Sequence, residues 1–117
     1  MITIFRNIYD KNTFNIDVSV ALDRIKNGAS KDKVEAVRSE LDKDRANKLK
    51  ANLPCVCFSG TFSERNDNAL INHSNLIVLD FDNVEHIDEK MVELQANEFV
   101  YACWVSPSGK GIKCFFT

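Results

Sequence analysis

The chain lacks the features that would place it at a membrane, outside the cell or around a zinc ion. No apolar run approaches the roughly 20 residues that a membrane-spanning helix needs. The N-terminal segment MITIFRNIYD has no basic stretch followed by an apolar one, as a secretory signal would. The four cysteines include no C-x2-C pair, and no paired histidines accompany them. We therefore expect a cytoplasmic protein with reduced, buried thiols and no membrane partner.

The chain also lacks the overall positive charge that favours nucleic acid, since its formal net charge is −2 over 117 residues. The charge is distributed unevenly. Residues 23–50 carry nine Lys or Arg against six Asp or Glu, whereas seven acids lie between Asp80 and Glu98. Helices of mixed charge usually face solvent, so the basic excess is only a weak sign of a nucleic-acid partner. The length suits a single domain with one core, residues 1–117.

The first part of the chain, residues 1–74, predicts a mixed α/β module. ITIF and CVCF are short β-rich runs, whereas YDKNTFN and SGTFSER have the composition of loops. Asp17 is a suitable N-cap for a helix over 18–27. Ser30 is suited to cap a second helix, whose apolar spacing extends from Lys33 to Leu49.

The second part, residues 75–117, predicts the order β-α-β-β. We expect strands at 75–81, 99–105 and 111–116 and an acidic helix at 88–97. The turn-forming segment SPSGKG predicts an antiparallel hairpin between the last two strands. Helices and antiparallel strands together favour the α+β class over a doubly wound sheet. Because the sequence stops inside a strand pattern, we expect the chain to be a fragment of a longer protein.

A pair of carboxylates follows the most apolar run of the chain, in LIVLDFDN. Asp80 and Asp82 are two residues apart, so on an extended strand they project from the same face. Two adjacent anions repel each other unless a cation lies between them, and Mg²⁺ prefers such oxygen ligands. A polar strand exit with a turn at Asp82–Asn83 explains the pair equally well. The apolar run before them predicts a central, buried strand.

A second group of polar residues lies in SPSGKGIK, between the last two strands. Ser106, Ser108, Gly109, Lys110 and Lys113 combine hydroxyls, glycine and lysine, which suits phosphate binding. An exposed hairpin turn has the same composition, and the spacing excludes a Walker A loop. Carboxylates for a metal ion and a turn for phosphate, within one small β-α-β-β unit, together favour metal-dependent phosphoryl or nucleotidyl transfer.

Two further interpretations are weaker. Arg65, in SGTFSER, suits contact with a phosphate or a nucleic-acid backbone, although a surface turn explains it as well. Asp80-Phe81-Asp82-Asn83-Val84 also loosely fits the aspartyl nucleophile motif of haloacid-dehalogenase-like phosphatases. That motif normally opens its fold, and only 35 residues follow Asp82 here, too few for the parallel sheet.

The segments KANLPCVCFSGTFSER, NLIVLDFDN and WVSPSGKGIKCFF, taken together, resemble the VirE N-terminal domain family. That family is similar to the catalytic core of archaeo-eukaryotic-type primases, the primase–polymerases. It occurs in mobile-element and phage proteins, joined to C-terminal helicase or primase-associated domains. The resemblance implies that residues 75–117 begin an RRM-like unit, and that residues 1–74 are an accessory α/β part.

The same resemblance implies an activity and its site. Asp80 and Asp82 match the D-x-D metal motif of primases and would be catalytic, with Mg²⁺ or Mn²⁺ as cofactor and nucleotides and single-stranded DNA as partners. Lys113 stands where active primases have a histidine of an S-x-H motif. A third acidic motif would lie beyond residue 117. The expected function is therefore nucleotidyl transfer by the longer protein, or alternatively an inactive nucleic-acid or protein interaction module.

Overall fold

A computed structural model describes residues 1–116 and divides the chain into two compact units, Met1–Ser74 and Asn75–Thr117. Thr117, with which the predicted second part ends, lies outside the described residues. Four α-helices and eight strands occur in the described part of the chain, and every strand pairing is antiparallel. The predicted α+β class is confirmed.

The first unit contains two small antiparallel sheets. One has the strand order β2-β1-β3, and the other pairs β4 with β5. The strands are β1 (Ile2–Phe5), β2 (Phe14–Ile16), β3 (Cys55–Cys57), β4 (Gly60–Phe62) and β5 (Leu70–His73). Thr3 connects the two sheets, because its buried hydroxyl donates to Asn15 Oδ1 at 2.7 Å and accepts from the Phe62 N–H at 2.9 Å. The one buried hydroxyl of β1 is thus fully paired.

The sequence missed β2, β4 and β5. The first two lie partly or wholly in segments with loop composition, and the third lies in a stretch for which no element was predicted. Each has only three or four residues. Strands this short depend on the neighbour with which they pair more than on their own propensity. No local pattern could therefore reveal them.

The helices of the first unit are α1 (Val18–Lys26), α2 (Lys31–Ser39) and α3 (Lys43–Lys50). The expectation of one helix from Lys33 to Leu49 is wrong, because the chain is extended at Glu40 and a new helix starts after Asp42. The Asp42 carboxylate accepts from the backbone N–H groups of Asp44 and Arg45 at 2.9 and 3.1 Å. This is an N-cap, and such a cap stabilises a helix by about 1 kcal/mol.

The other caps differ from expectation as well. Asp17 and Ser30 occupy the N-cap positions of α1 and α2, as predicted, but neither side chain makes a capping hydrogen bond. Leu41, which the single-helix pattern placed on an apolar face, is 99 % exposed. Among residues 1–116 no helix combines the length and the apolar character that crossing a membrane requires.

The second unit has the predicted order β-α-β-β. Its elements are β6 (Ile77–Phe81), α4 (Ile87–Ala96), β7 (Val100–Val105) and β8 (Ile112–Phe116). The sheet order is β6-β8-β7, with both pairings antiparallel. The last strand therefore lies in the middle of the sheet, between the two strands that precede it.

The expectation that residues 75–81 form a central, buried strand is wrong. In the described sheet β6 pairs on one side only, with β8, and Ile77 is 62 % exposed. The most buried strand of this sheet is β8, where Ile112, Cys114 and Phe115 have no exposed surface. Because the strand that occupies the centre is set by pairing order, an apolar run on both faces of β6 could not identify it.

The two faces of this sheet carry different residues. Helix α4 covers the helix face, where Leu94 packs with Ile112 and Cys114. Lys113 and Phe115 alternate with them and lie on what we call the opposite face. This alternation decides which side chains can meet at the predicted site.

The four cysteines, all within residues 1–116, form no disulfide, and only Cys114 is fully buried, so the expectation of buried thiols holds for that residue alone. Burial raises the pKa of the Cys103 and Cys114 thiols. A hydrogen bond with Cys55 raises the pKa of the Cys57 thiol, and burial adds to the effect. Raised pKa values keep these thiols protonated, which makes them poor nucleophiles and poor metal ligands.

Candidate functional site

Strand register places the first predicted carboxylate beside the last predicted lysine. In the β6–β8 pairing Asp80 lies directly across from Lys113, and Phe81 across from Ile112. The ammonium group of Lys113 lies 2.9 Å from Asp80 Oδ1 and donates a hydrogen bond to it. Both side chains therefore project from the opposite face of the sheet, away from α4.

The second carboxylate lies beside the turn that joins β7 to β8. A Cβ atom built on Gly111 would lie 3.6 Å from Asp82 Oδ1 and 3.1 Å from Ser106 Oγ, which locates the carboxylate next to this position. The chain then reverses at Asn83, whose φ is 51°. The N–H of Val84 donates to the Lys110 carbonyl at 2.8 Å, so the exit from β6 is bonded to the turn.

The turn itself is closed by its own polar groups. The Gly109 N–H donates to the Ser106 carbonyl at 2.9 Å, and Gly109 has a φ of 76°, which favours glycine. Ser106 Oγ accepts from the Gly111 N–H at 3.1 Å and lies 2.9 Å from Ser108 Oγ. Ser108 Oγ also accepts from the Lys110 N–H at 3.3 Å. The hydroxyls thus hold the turn in shape, and the exposed Lys110 side chain extends from it.

The Asp80–Lys113 ion pair is accessible to solvent. The side chains are 54 % and 37 % exposed, respectively. An exposed pair of this kind contributes about 0.2–1 kcal/mol, because water screens it and two flexible side chains must be ordered. A stronger cation can therefore displace the Lys113 ammonium at small cost, and the released lysine can bind an anion.

Too few protein ligands lie together in residues 1–116 to hold a metal ion alone. The residues instead fit a metal ion that takes some of its ligands from a bound phosphate. In the part of the chain that the structure describes, no group of three or more His, Cys, Asp or Glu residues could hold a metal. Mg²⁺ keeps several waters and is commonly bound by one or two carboxylates plus substrate phosphates. Asp80 and Asp82 would supply the carboxylates of such a site, and the neighbouring turn and lysines are suited to the phosphates.

Arg65, the remaining predicted residue, belongs to the first unit. It lies between β4 and a short 3-10 helix (Asp67–Ala69), and its side chain is exposed. It is not one of the residues that the β6–β8 pairing and the β7–β8 turn bring together. Its contact with nucleic acid stays a prediction.

Three aromatic residues next to the site were not among the predicted site residues. In the β7–β8 pairing Trp104 is the partner of Lys113, so Asp80, Lys113 and Trp104 form a row across three strands. The Trp104 ring meets Phe115 edge-on with centroids 5.8 Å apart, and Tyr101 stacks on Phe115 at 5.5 Å. The alternation of β8, which puts Phe115 on the same face as Lys113, was the signal that could have revealed Phe115.

The first unit carries a groove lined by cations. Its volume is about 860 Å³, and its charged lining consists of Arg6, Arg24, Lys31, Lys33 and a single acid, Asp32. Phe14 also lines it and is exposed, with the Arg6 guanidinium 5.4 Å from its ring centroid. Cations interleaved with an exposed aromatic ring are typical of single-strand nucleic-acid binding.

Comparison with known proteins corrects the resemblance inferred from the motifs. A family model described as BT4734-like, N-terminal domain, matches residues 48–117. The resemblance to the VirE N-terminal domain family and to primases is wrong, because the family that matches is neither of these. No curated protein and no solved structure matches the chain.

Proposed function

The chain belongs to the BT4734-like N-terminal domain family, and we propose that its second unit binds a nucleotide together with a divalent metal ion, Mg²⁺ or Mn²⁺. One observation carries the proposal: antiparallel register brings a D-x-D pair and a Ser/Gly/Lys turn to the same end of one sheet. The proposal concerns binding. Nucleotidyl transfer, which the corrected resemblance implied, forms no part of it.

Each residue has a role that follows from its position. Asp82 and Asp80 would hold the metal ion, whose charge offsets the mutual repulsion of two carboxylates and of the phosphates. Lys113, released from Asp80, would bind a phosphate as a point charge. Lys110 extends from the turn and would bind a second phosphate, while Ser106, Ser108 and Gly109 keep the turn in the required shape.

The proposal predicts that nucleotide binding depends on the metal. We expect ATP to bind the protein at least about tenfold more tightly with Mg²⁺ than with a chelator, because carboxylates and phosphates repel each other without the ion. Isothermal titration calorimetry of the same protein sample in the two buffers measures this ratio. Equal affinities in the two buffers would contradict a site in which the metal connects carboxylate to phosphate.

The basic groove of the first unit supports a second candidate, a nucleic-acid-binding module without chemistry. Four cations and one acid line the groove, although the chain as a whole carries a charge of −2. Local and not overall charge would then attract the phosphate backbone. Phe14 would provide a surface on which a base can stack.

This candidate is tested by two charge-matched double variants. We expect Arg24→Gln/Lys33→Gln, in the groove, to weaken binding of a labelled single-stranded oligonucleotide and to lower its salt slope by about 0.7 per lost phosphate contact. Arg45→Gln/Lys48→Gln, in α3, removes the same two charges outside the groove lining. Fluorescence anisotropy at several salt concentrations measures both. Equal losses in the two variants would mean that the groove has no special role.

A cytoplasmic location completes the proposal. The cysteines support it, since none of the four described cysteines forms a disulfide and disulfides are rare in the reducing cytosol.

A further inference from the structure

The proposed metal–phosphate site lies beside a group of aromatic rings that is larger than phosphate binding needs. We call Tyr101, Trp104 and Phe115 the aromatic platform. All three rings meet on the opposite face of the second sheet, since Tyr101 and Trp104 each contact Phe115 and Phe115 follows Lys113 by two residues. Because Trp104 is the cross-strand partner of Lys113, the platform adjoins the Asp80–Lys113 ion pair.

The rings are arranged so that one of them, Tyr101, is exposed to solvent. Phe115 has no exposed surface, yet Tyr101, which stacks on it with an interplanar angle of 22°, is 58 % exposed. One face of the Tyr101 ring is used against Phe115, so the exposed area belongs to its outer face and its edge. Trp104 meets Phe115 at 77° and holds the central ring from the side that adjoins Lys113.

Distances along the sheet suit a ligand that carries both an anion and a planar ring. Neighbouring strands lie about 4.8 Å apart, and residues two apart on a strand are separated by about 6.8 Å. Trp104 therefore lies one strand spacing from Lys113, on the neighbouring strand. Phe115 lies two residues from Lys113 along β8. A nucleotide has this construction, with phosphates and a stacking base joined by a sugar.

We propose that the aromatic platform stacks the base of the nucleotide whose phosphates bind at Asp80, Asp82, Lys110 and Lys113. This inference rests on the proposed function and makes it more specific, because it assigns the ligand to nucleotides and not to inorganic or sugar phosphates. Every base has a π-face, so the platform accepts different bases. The shared chemistry is a base beside a phosphate, which a free nucleotide and a single-stranded oligonucleotide both offer.

The ligand itself provides the first test, and no variant is needed for it. We expect MgATP to bind about tenfold more tightly than Mg²⁺-tripolyphosphate, which has the phosphates without the base. Trp104 is the only tryptophan of the chain, so its fluorescence reports on the platform. MgATP is expected to change this emission more than Mg²⁺-tripolyphosphate does, because both ligands engage Lys113 beside Trp104 but only ATP places a base on the platform.

Variants of Tyr101 separate stacking from folding. We expect Tyr101→Leu to lower MgATP affinity about tenfold while Mg²⁺-tripolyphosphate affinity stays the same. Tyr101→Phe keeps a ring and is expected to bind both ligands like wild type. Tyr9→Leu, at an exposed tyrosine of the first unit, is the matched control. Unchanged tripolyphosphate affinity shows that the site is still folded.

The outcomes are distinguishable. If tripolyphosphate and ATP bind equally in the presence of Mg²⁺, the platform proposal is overturned while the metal–phosphate site stands. If neither ligand binds, the proposed function fails and this inference fails with it. A parallel titration with a short adenine oligodeoxynucleotide shows whether the preferred ligand is a free nucleotide or a single strand, because the preferred one binds more tightly. Binding of either one would support stacking.

Discussion

A protein carrying both Asp80→Asn and Asp82→Asn is expected to lose the Mg²⁺-dependent part of its ATP binding. Each contact to a charged group contributes about 1.5–3 kcal/mol. The loss of two such contacts therefore weakens MgATP binding by at least about 100-fold. Asparagine has nearly the shape of aspartate, so the sheet and the turn are retained and the change is one of charge. Calorimetry with MgATP, and with ATP in a chelator, measures the effect.

The control for this variant removes the same charge nearby. Asp88 and Glu89 lie in the first turn of α4 and are exposed, so Asp88→Asn/Glu89→Gln changes the net charge of the second unit equally. We expect this control to bind MgATP like wild type. The single variants should differ from each other, since Asp80→Asn also removes the ion-pair partner of Lys113 and Asp82→Asn does not. Wild-type MgATP affinity in the Asp80/Asp82 double variant would exclude both carboxylates as metal ligands.

Replacing Gly111 with alanine is expected to separate the two halves of the site. The added Cβ would lie 2.5 Å from the Phe81 carbonyl oxygen and 3.1 Å from Ser106 Oγ. A backbone oxygen cannot move without displacing its strand, so β6 and the turn must move apart. Overpacking of this kind costs about 1–3 kcal/mol of stability. We expect a lower free energy of unfolding in urea, followed by circular dichroism, together with at least about tenfold weaker MgATP binding.

A second substitution, at Gly109 in the same turn, is the control. It tests whether the effect at Gly111 comes from the close contacts there or from the loss of any glycine in the turn. Gly109 needs a left-handed backbone conformation, with a φ of 76°, and asparagine adopts that conformation more readily than other residues with a side chain. Gly109→Asn should therefore retain most of the stability and MgATP affinity. If Gly111→Ala were as stable as wild type and bound MgATP as tightly, the close packing of Phe81, Ser106 and position 111 would have no role in the site.

The sequence predicted those elements of the fold that are marked by neighbouring residues, and it failed where contacts between distant residues decide the structure. The β-α-β-β order and the final hairpin were predicted because turn residues and apolar runs mark them directly. The break after Ser39 was missed because the apolar spacing continues through Leu41, whereas the cap at Asp42 decides the outcome. The position of β6 at one side of the sheet was missed because strand order is set by pairing with distant residues.

The candidate site illustrates the same limit. Period-two alternation predicted that Asp80 and Asp82 project from the same face of a strand, but β6 ends at Phe81, so strand alternation places only Asp80. The hairpin composition correctly identified the turn. The ion pair between Asp80 and Lys113, 33 residues apart, follows from a register that no local pattern specifies. Tyr101 lies at an irregularity between Val100 and Ala102, where the β7–β8 register shifts. Simple alternation therefore could not assign its face.

The incorrect resemblance to primases shows why motifs alone were insufficient to assign the chain to a family. A D-x-D pair and a Ser/Gly/Lys turn suit any site that holds a metal and a phosphate. Different families can therefore share them for the same physical reason. The match of residues 48–117 to the BT4734-like N-terminal domain family rests on a continuous stretch that includes β3 to β8.

The most direct test of the metal–phosphate site is to locate a bound metal by paramagnetic broadening in the NMR spectrum. Mn²⁺, added in trace amounts with ATP to the isotope-labelled protein, broadens the amide signals nearest to it. We expect the signals of residues 80–84 and 106–113 to broaden at a lower Mn²⁺ level than those of any other segment of the second unit. Broadening centred on any other segment, or no broadening of residues 80–84 at a Mn²⁺·ATP concentration that calorimetry shows to be saturating, would contradict the site.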